Sequence, residues 1–222
     1  MKLSKYIPYI IILVLSVFLV FNYSKNDIQL KRIYEINQNN TNYEISVIYY
    51  SNSFLDKIFQ NKIKKEIIDF KEESKEFHKI APYQTSLYIS QDVFNYSKDI
   101  ISFKTTTYKN TGGAHGNTFV ETKIINTKEN KIIQPEELII DIQKLSNIVK
   151  EYVVDREIVN KNDIFDQGLE PKIENFKNFV LSPNFVTFYF SPYQIAPYYY
   201  GVIEVNLMNS EINEVINFNV LK

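Results

Sequence analysis

The residue best suited to chemistry in this chain is His115, which stands in the run Thr111-Gly112-Gly113-Ala114-His115-Gly116. An imidazole can serve as a general base or as a metal ligand. Metal sites in proteins usually have at least three ligands, and the other histidine, His78, has no ligand-like spacing to the first. The chain has no G-x-S-x-G nucleophile motif. A catalytic triad is defined by geometry, however, so a hydrolytic role for His115 stays open.

The glycines around His115 favour a structural loop. Three of the five glycines in the chain fall between residues 111 and 117. Glycine permits positive φ and close backbone approach, which predicts a bulge or a tight bend between two paired strands. We therefore expect His115 to hydrogen-bond to the backbone and fix a loop, and we predict no catalytic residue, metal ion or cofactor. The residues assigned to this motif loop are Thr111, Gly112, Gly113, His115 and Gly116.

A second segment with chemical potential is rich in tyrosine and covers residues 192–200. Its two prolines fix φ and cannot continue a strand ladder, which predicts a rigid, shaped connection. Tyrosine offers a large contact area, a hydroxyl group and little conformational entropy to lose, and this suits protein or sugar surfaces. The alternative is that the rings plug the end of a sheet. The predicted ligand-binding residues are Tyr193, Pro197, Tyr198 and Tyr199.

Composition excludes several classes of function. The 222 residues include no cysteine, so disulfides, thiolate metal sites, cysteine nucleophiles and a lipoprotein anchor are excluded. The net charge of −1 gives no electrostatic footprint for nucleic acid. The length and the 45% hydrophobic content suit one or two small domains with a core.

The N-terminus predicts the compartment. Lys2 and Lys5 precede an apolar run over residues 6–23, which as a helix is about 27 Å long and just spans a hydrocarbon core. No small-residue cleavage site follows it, so we expect residues 1–23 to form a short cytoplasmic stub and an uncleaved transmembrane anchor. The positive-inside rule then places the rest of the chain outside the cytoplasm in a single-pass membrane protein. A cleaved signal peptide, which would make the protein secreted, is the alternative.

Apolar periodicity predicts an α+β fold with antiparallel sheets and two main packing helices collected on one side. The helices are expected from residue 53 to near residue 77 and over about 141–159. Strands are expected over residues 28–36, 43–50, 84–93, 99–108, 118–126, 184–190 and 201–207. The break at Ala81-Pro82 predicts a strand-helix subdomain over residues 24–80 and a larger subdomain over residues 81–222.

Three segments carry a family resemblance. They are a helix over residues 55–70 with a central Asn61, the run from Tyr108 to Gly116, and the ending F-x-P-Y-x-I-A-P-Y-x-x-G that starts at Phe190. Together they resemble the exported domain shared by the anti-sigma factor RsiV and the N-terminal part of the peptidoglycan deacetylase PdaC. The resemblance covers roughly residues 43–216.

The resemblance implies a ligand in the cell envelope. In RsiV-like proteins the domain recognises lysozyme, and in the deacetylase it stands before a catalytic module. We expect this chain to lack both effector parts, because few residues precede its anchor and only two histidines are present. The expectation is a non-catalytic extracytoplasmic module that binds a lysozyme-like protein or peptidoglycan. The alternatives are a small peptidoglycan-directed hydrolase or deacetylase-like enzyme using His115, and a structural partner of another membrane protein.

Overall fold

The computed structural model of the protein describes residues 29–37, 41–49, 53–80 and 84–221. The anchor predicted over residues 6–23 lies outside these residues, so it stays a prediction. Among the helices that are described, none is both long and apolar enough to cross a bilayer.

The larger of two sheets has six strands in the order of the chain. Neighbouring strands pair antiparallel, except that the second strand (Thr41–Tyr49) and the third (Thr85–Asn95) are parallel. The prediction of an α+β fold with antiparallel sheets is confirmed, and this parallel pair is an exception that it did not include. The pair is parallel because the helix between the two strands returns the chain to the same end of the sheet. The strands are β1 (Gln29–Asn37), β2 (Thr41–Tyr49), β3 (Thr85–Asn95), β4 (Ile100–Asn110), β5 (Asn117–Asn126) and β6 (Lys131–Ile133).

Helix α1 (Ser53–His78) covers one face of this large sheet. Its apolar residues recur at helical spacing, so one stripe faces the sheet. The ring of Phe59 meets that of Phe103 on β4 at 4.6 Å between centroids. The buried residues of this layer are Leu55, Phe59, Ile63 and Phe70 from the helix and Leu87, Ile89, Ile101, Phe103 and Ile125 from the sheet.

A small antiparallel sheet packs on the other face of the large sheet. It contains β7 (Phe179–Leu181), β8 (Phe185–Phe190) and β9 (Ile203–Met208). Two backbone amides of β7 donate to hydroxyls of the large sheet, Leu181 N to Ser102 Oγ at 3.0 Å and Phe179 N to Thr122 Oγ1 at 2.9 Å. These bonds satisfy buried donors between the sheets and fix their relative position.

Helix α3 (Ile142–Asp155) covers the outer face of the small sheet through Leu145, Val149 and Val153. The layers therefore run α1, large sheet, small sheet, α3, and the expectation that both helices lie on one side is wrong. Each sheet has one face on the other sheet and one apolar face left, and each remaining face needs its own helix. Two short helices, α2 (Pro135–Leu138) and α4 (Ile173–Phe176), flank the core.

Local differences from the predicted elements have simple causes. Helix α3 ends at Asp155 because Glu157 adopts a φ of 52° that an α-helix does not allow. The sequence does not predict strand β7, since its three residues are too few for a period-2 pattern. The large sheet joins strands on both sides of residue 81, and the division into subdomains there stays a prediction. Single 3₁₀ turns cover Lys161–Asp163, Asp166–Leu169, Tyr198–Tyr200 and Phe218–Leu221.

Candidate functional site

The motif loop joins β4 to β5 and packs against the C-terminal end of α1. Gly112 has a φ of 100°, and its amide donates to Asn110 Oδ1 at 2.9 Å. A Cβ atom built on Gly112 would overlap the ring of Phe77. Both the backbone conformation and the close approach thus require glycine at this position. The last residues of α1 therefore help to fix the loop that carries His115.

His115 is exposed at the tip of this loop. Its Nδ1 lies 3.0 Å from the carbonyl oxygen of Gly116, and its Nε2 lies 3.4 Å from the hydroxyl of Tyr193. If Nδ1 donates to the carbonyl, Nε2 is the acceptor that faces the tyrosine. The ring stacks on Tyr198 with 4.2 Å between centroids and 28° between planes.

The tyrosine-rich segment connects β8 to β9 and is held by its polar residues. The hydroxyl of Ser191 accepts from Val120 N on β5 at 3.2 Å. Gln194 accepts from Ser191 N at 3.1 Å and donates to the carbonyl of Asn175 at 2.9 Å. Ile195 is fully buried. The segment is therefore an anchored connection, and the bond from Val120 ties it to β5, the strand that follows the motif loop.

Tyr193 has an unusual backbone conformation. Its φ is 68°, in the left-handed region that costs a residue with a Cβ roughly 1–2 kcal/mol. The residue is nevertheless 53% exposed, so core burial does not compensate for that cost. Strained residues of this kind are concentrated at functional sites, where the surrounding structure holds them in place.

Tyr198 connects the two segments directly. Its hydroxyl donates to the carbonyl of Gly116 at 2.8 Å, and its ring lies 5.5 Å from that of Tyr193 between centroids. The three rings of His115, Tyr193 and Tyr198 form one group on the surface, which we call the aromatic cluster. Sequence motifs far apart in the chain thus form one site.

The other predicted ligand-binding residues lie apart from the aromatic cluster. Tyr199, 71% exposed, donates to Asp163 Oδ2 at 2.7 Å, and Tyr200 donates to the same oxygen at 3.0 Å. The hydrogen bond to the Asp163 carboxylate, with a smaller contribution from Tyr200, raises the pKa of Tyr199 above its usual range. Pro197 is half-buried and precedes the turn that directs Tyr198 and Tyr199 to different partners.

Tyr108 is a neighbour of the cluster that was not selected from the sequence. A Cβ atom built on Gly116 would overlap the ring of Tyr108, so this ring lies directly against the Gly116 backbone. The sequence signal that points to Tyr108 is its position at the start of the run that ends at Gly116. Within the described part of the chain, no group of three or more His, Cys, Asp or Glu side chains is arranged to hold a metal ion.

A separate pocket of about 370 Å³ lies between β5, α2 and α4. It shares no residue with the aromatic cluster, and its charged residues are of both signs. The lining residues are Glu121, Thr122, Lys123, Gln134, Pro135, Glu136, Ile173, Glu174, Lys177 and Asn178.

Comparisons with known families divide the chain into two matched segments. Residues 34–118 match the family described as "Deacetylase PdaC", and residues 130–209 match "Protein of unknown function (DUF3298)". His115 lies in the first segment, whereas Tyr193 and Tyr198 lie in the second. The aromatic cluster is therefore assembled from both.

One curated relative is the peptidoglycan-N-acetylmuramic acid deacetylase PdaC of Bacillus subtilis, which is 23% identical over 181 residues. The aligned residues make up 79% of this chain and 39% of that protein. The chain thus matches well under half the length of this relative.

Two solved structures share the fold. A DUF3298-family protein from Bacteroides fragilis superposes with a TM-score of 0.64 at 15% identity, covering 89% of this chain and 96% of that one. A DUF3298-family protein from Pseudomonas aeruginosa gives a TM-score of 0.61 at 16% identity, covering 88% of this chain and 97% of that one. At these identities the likeness concerns the fold alone.

Proposed function

The chain carries a domain that it shares with the deacetylase PdaC, and on this basis we propose that it is a non-catalytic module that binds peptidoglycan outside the cytoplasm. The relative is named for its action on peptidoglycan N-acetylmuramic acid. A binding module on the same kind of polymer needs a surface that fits sugar rings. The aromatic cluster is the candidate for that surface.

The observation that carries the proposal is the conformation of Tyr193. The backbone of Tyr193 is strained although the residue is 53% exposed, and this combination supports a role for its ring in contact with a ligand. Its ring lies beside the rings of Tyr198 and His115, so the chain presents several ring faces at one place. The apolar face of a pyranose stacks on such rings, while its hydroxyl groups bond to the polar atoms at the ring edges.

The proposal assigns no chemistry to His115. One imidazole nitrogen lies against the Gly116 carbonyl, and the other faces the Tyr193 hydroxyl. Both contacts fix the ring as a stacking surface. The same residue would be the natural general base if the domain were a hydrolase, and the binding experiment below therefore includes its substitution.

We also propose that residues 6–23 anchor the protein in the cell membrane with the described domain on the outer side. The support is the apolar run that follows Lys2 and Lys5. An anchored module would remain close to the envelope polymer, and a cleaved form would be released as a secreted one. Protease accessibility of the domain in intact cells, compared with fractionation of membranes and medium, distinguishes these cases.

Co-sedimentation of the full-length protein with insoluble peptidoglycan sacculi, in detergent micelles, tests the binding function. The wild type is expected to sediment, and Tyr198→Ala is expected to weaken binding by roughly 5- to 30-fold, because one central ring contributes on the order of 1–2 kcal/mol. Phe119→Ala is the matched control, since Phe119 is 50% exposed on the opposite face of the large sheet. Failure of the wild type to bind sacculi overturns the proposal.

Two further outcomes identify the alternatives. Tight binding to lysozyme without binding to sacculi would assign the cluster to a protein ligand. Release of acetate or of new reducing ends from sacculi, lost in His115→Ala, would assign an enzymatic role. The proposal predicts neither product in the wild type.

A further inference from the structure

A pair of partly exposed tyrosine rings lies on the large sheet beside the aromatic cluster. Tyr88 on β3 and Tyr108 on β4 are direct cross-strand partners, with 5.8 Å between ring centroids and 36° between planes. Tyr88 is 44% exposed, and Tyr108 is half-buried. Strand alternation puts both rings on the face opposite α1, which buries Leu87 and Ile89.

This pair is continuous with the aromatic cluster through Gly116. The ring of Tyr108 lies on the backbone of Gly116, and the hydroxyl of Tyr198 bonds to the carbonyl of the same residue. The absence of a side chain at Gly116 therefore lets one surface pass from the loop onto the sheet. We call this surface the sheet platform. It consists of Tyr88, Ser90 and Asp92 on β3 and Lys104, Thr106 and Tyr108 on β4.

Polar side chains continue the sheet platform along the same two strands. Ser90 and Asp92 follow Tyr88 at alternate positions of β3 and are exposed. Their cross-strand partners on β4, Thr106 and Lys104, are half-buried. Lys104 bonds to Asp92 at 3.1 Å and lies 4.9 Å from the centre of the Tyr189 ring on the small sheet. The small sheet thus borders this line of polar side chains at Tyr189.

The chemistry of the row indicates its ligand. Aromatic rings alone could bind any apolar group. Here they lie next to the hydroxyls of Ser90 and Thr106 and to the paired side chains of Asp92 and Lys104. A carbohydrate chain has this alternation of apolar ring faces and hydroxyl or amide edges. A purely apolar peptide or lipid would remove water from the hydroxyls of Ser90 and Thr106 and offer them no hydrogen bond, which is costly in a buried interface.

We propose that the sheet platform is a second subsite, which binds further sugar units of a glycan chain whose first unit stacks on the aromatic cluster. This inference rests on the proposed function and extends it, because it makes an extended glycan, and not a chain end, the preferred ligand. The energy of binding is then divided between two subsites. Affinity must rise with chain length until both subsites are filled.

Isothermal titration of the full-length protein in micelles with chito-oligosaccharides of two, four and six N-acetylglucosamine units tests this directly. In the wild type the six-unit chain is expected to bind about tenfold more tightly than the two-unit chain. Tyr88→Ala should remove that gain and leave the two-unit affinity unchanged, while Tyr88→Phe should retain the gain. Phe119→Ala, on the other face of the sheet, should match the wild type.

The outcomes separate this inference from the function on which it rests. Sacculi binding by the wild type together with equal affinity for all chain lengths, or an unaltered gain in Tyr88→Ala, overturns the second subsite alone. If the wild type binds neither sacculi nor any of the oligosaccharides, the proposed function is overturned as well. Lysozyme binding that no glycan displaces, and that Tyr88→Ala abolishes, would assign the sheet platform to a protein ligand and contradict the inference.

Discussion

The imidazole of His115 stacks on the ring of Tyr198 at 4.2 Å between centroids, and this contact joins a connection of the large sheet to a connection of the small sheet. Both residues also bond to the carbonyl of Gly116. A change in the packing of the two sheets would therefore disturb the cluster. The site depends on the fold as a whole, and not on either motif by itself.

Relief of strain at Tyr193 should separate stability from binding. Tyr193→Asn places a residue that tolerates left-handed backbone at a φ of 68°, and we expect the free energy of unfolding to stay equal or rise by about 0.5–1 kcal/mol. Binding to sacculi should fall, because the ring is lost. Tyr193→Phe is the control and should resemble the wild type in both. Urea denaturation gives the stability, and a loss above about 1 kcal/mol in Tyr193→Asn would make the ring a structural plug.

Two neighbouring glycines of the motif loop should respond very differently to alanine. Gly112→Ala forces a strained φ and displaces the Phe77 ring, so we expect a loss of roughly 2–3 kcal/mol of unfolding free energy. At Gly113 the nearest atom is a carbonyl oxygen 3.8 Å from the added carbon, so Gly113→Ala should change stability by less than about 0.5 kcal/mol. Equal losses of unfolding free energy for the two variants in urea denaturation would contradict the packing of the loop against Phe77 of α1.

Gly116→Ala should disconnect the sheet platform from the aromatic cluster. The added methyl group overlaps the Tyr108 ring, which must rotate away, and we expect a stability loss of about 1–2 kcal/mol. In the titration with oligosaccharides of increasing length, this variant should lose the gain between two and six units. A wild-type length dependence in a folded Gly116→Ala protein would show that Tyr108 does not carry the connection.

Stability should depend on pH through Lys62 on α1. Burial, with a smaller contribution from Lys123, lowers the pKa of Lys62 to about 8, whereas a lysine in an unfolded chain has a pKa of about 10.4. Between these values the unfolded state binds more protons, so the unfolding free energy rises with pH over this window. Below pH 8 the amine is charged in both states, and its partial burial costs stability.

The substitution Lys62→Met should therefore stabilise the protein at pH 7 by about 1 kcal/mol, since the contact with Glu121 offsets part of the desolvation cost. This advantage should shrink as the pH rises from 8 to 10. Thermal unfolding at several pH values measures it, with the exposed Lys64→Met as control. A constant or growing advantage of Lys62→Met would contradict the lowered pKa.

The sequence predicts the parts of this fold that have a local pattern. The stripe of Leu55, Phe59 and Ile63 on α1 and that of Leu145, Val149 and Val153 on α3 recur at helical spacing, and both helices are present. The parallel pairing of β2 and β3 has no local signature, because it follows from the path of the chain across α1. Strand β7 is fixed by its packing between two layers, which three residues of sequence do not encode.

The sequence identifies the candidate site only as two separate segments and does not predict that they meet. The residue types of both motifs mark them as unusual, but nothing local brings Tyr198 to His115 while directing Tyr199 to Asp163. That separation comes from the single turn after Pro197 and from the packing of the two sheets. Tyr88 and Tyr108 read as ordinary strand residues until the register of β3 on β4 places them side by side.

The most direct test of the account is the NMR signal of the His115 imidazole during titration with soluble peptidoglycan fragments. The chain has only two histidines, so a His78→Gln variant assigns both ring signals without ambiguity. The account predicts a saturable shift of the His115 signal that follows the same binding curve as the sedimentation assay and disappears in Tyr198→Ala. Fragments that bind with the same affinity while the His115 signal stays unchanged would contradict the aromatic cluster as the binding site.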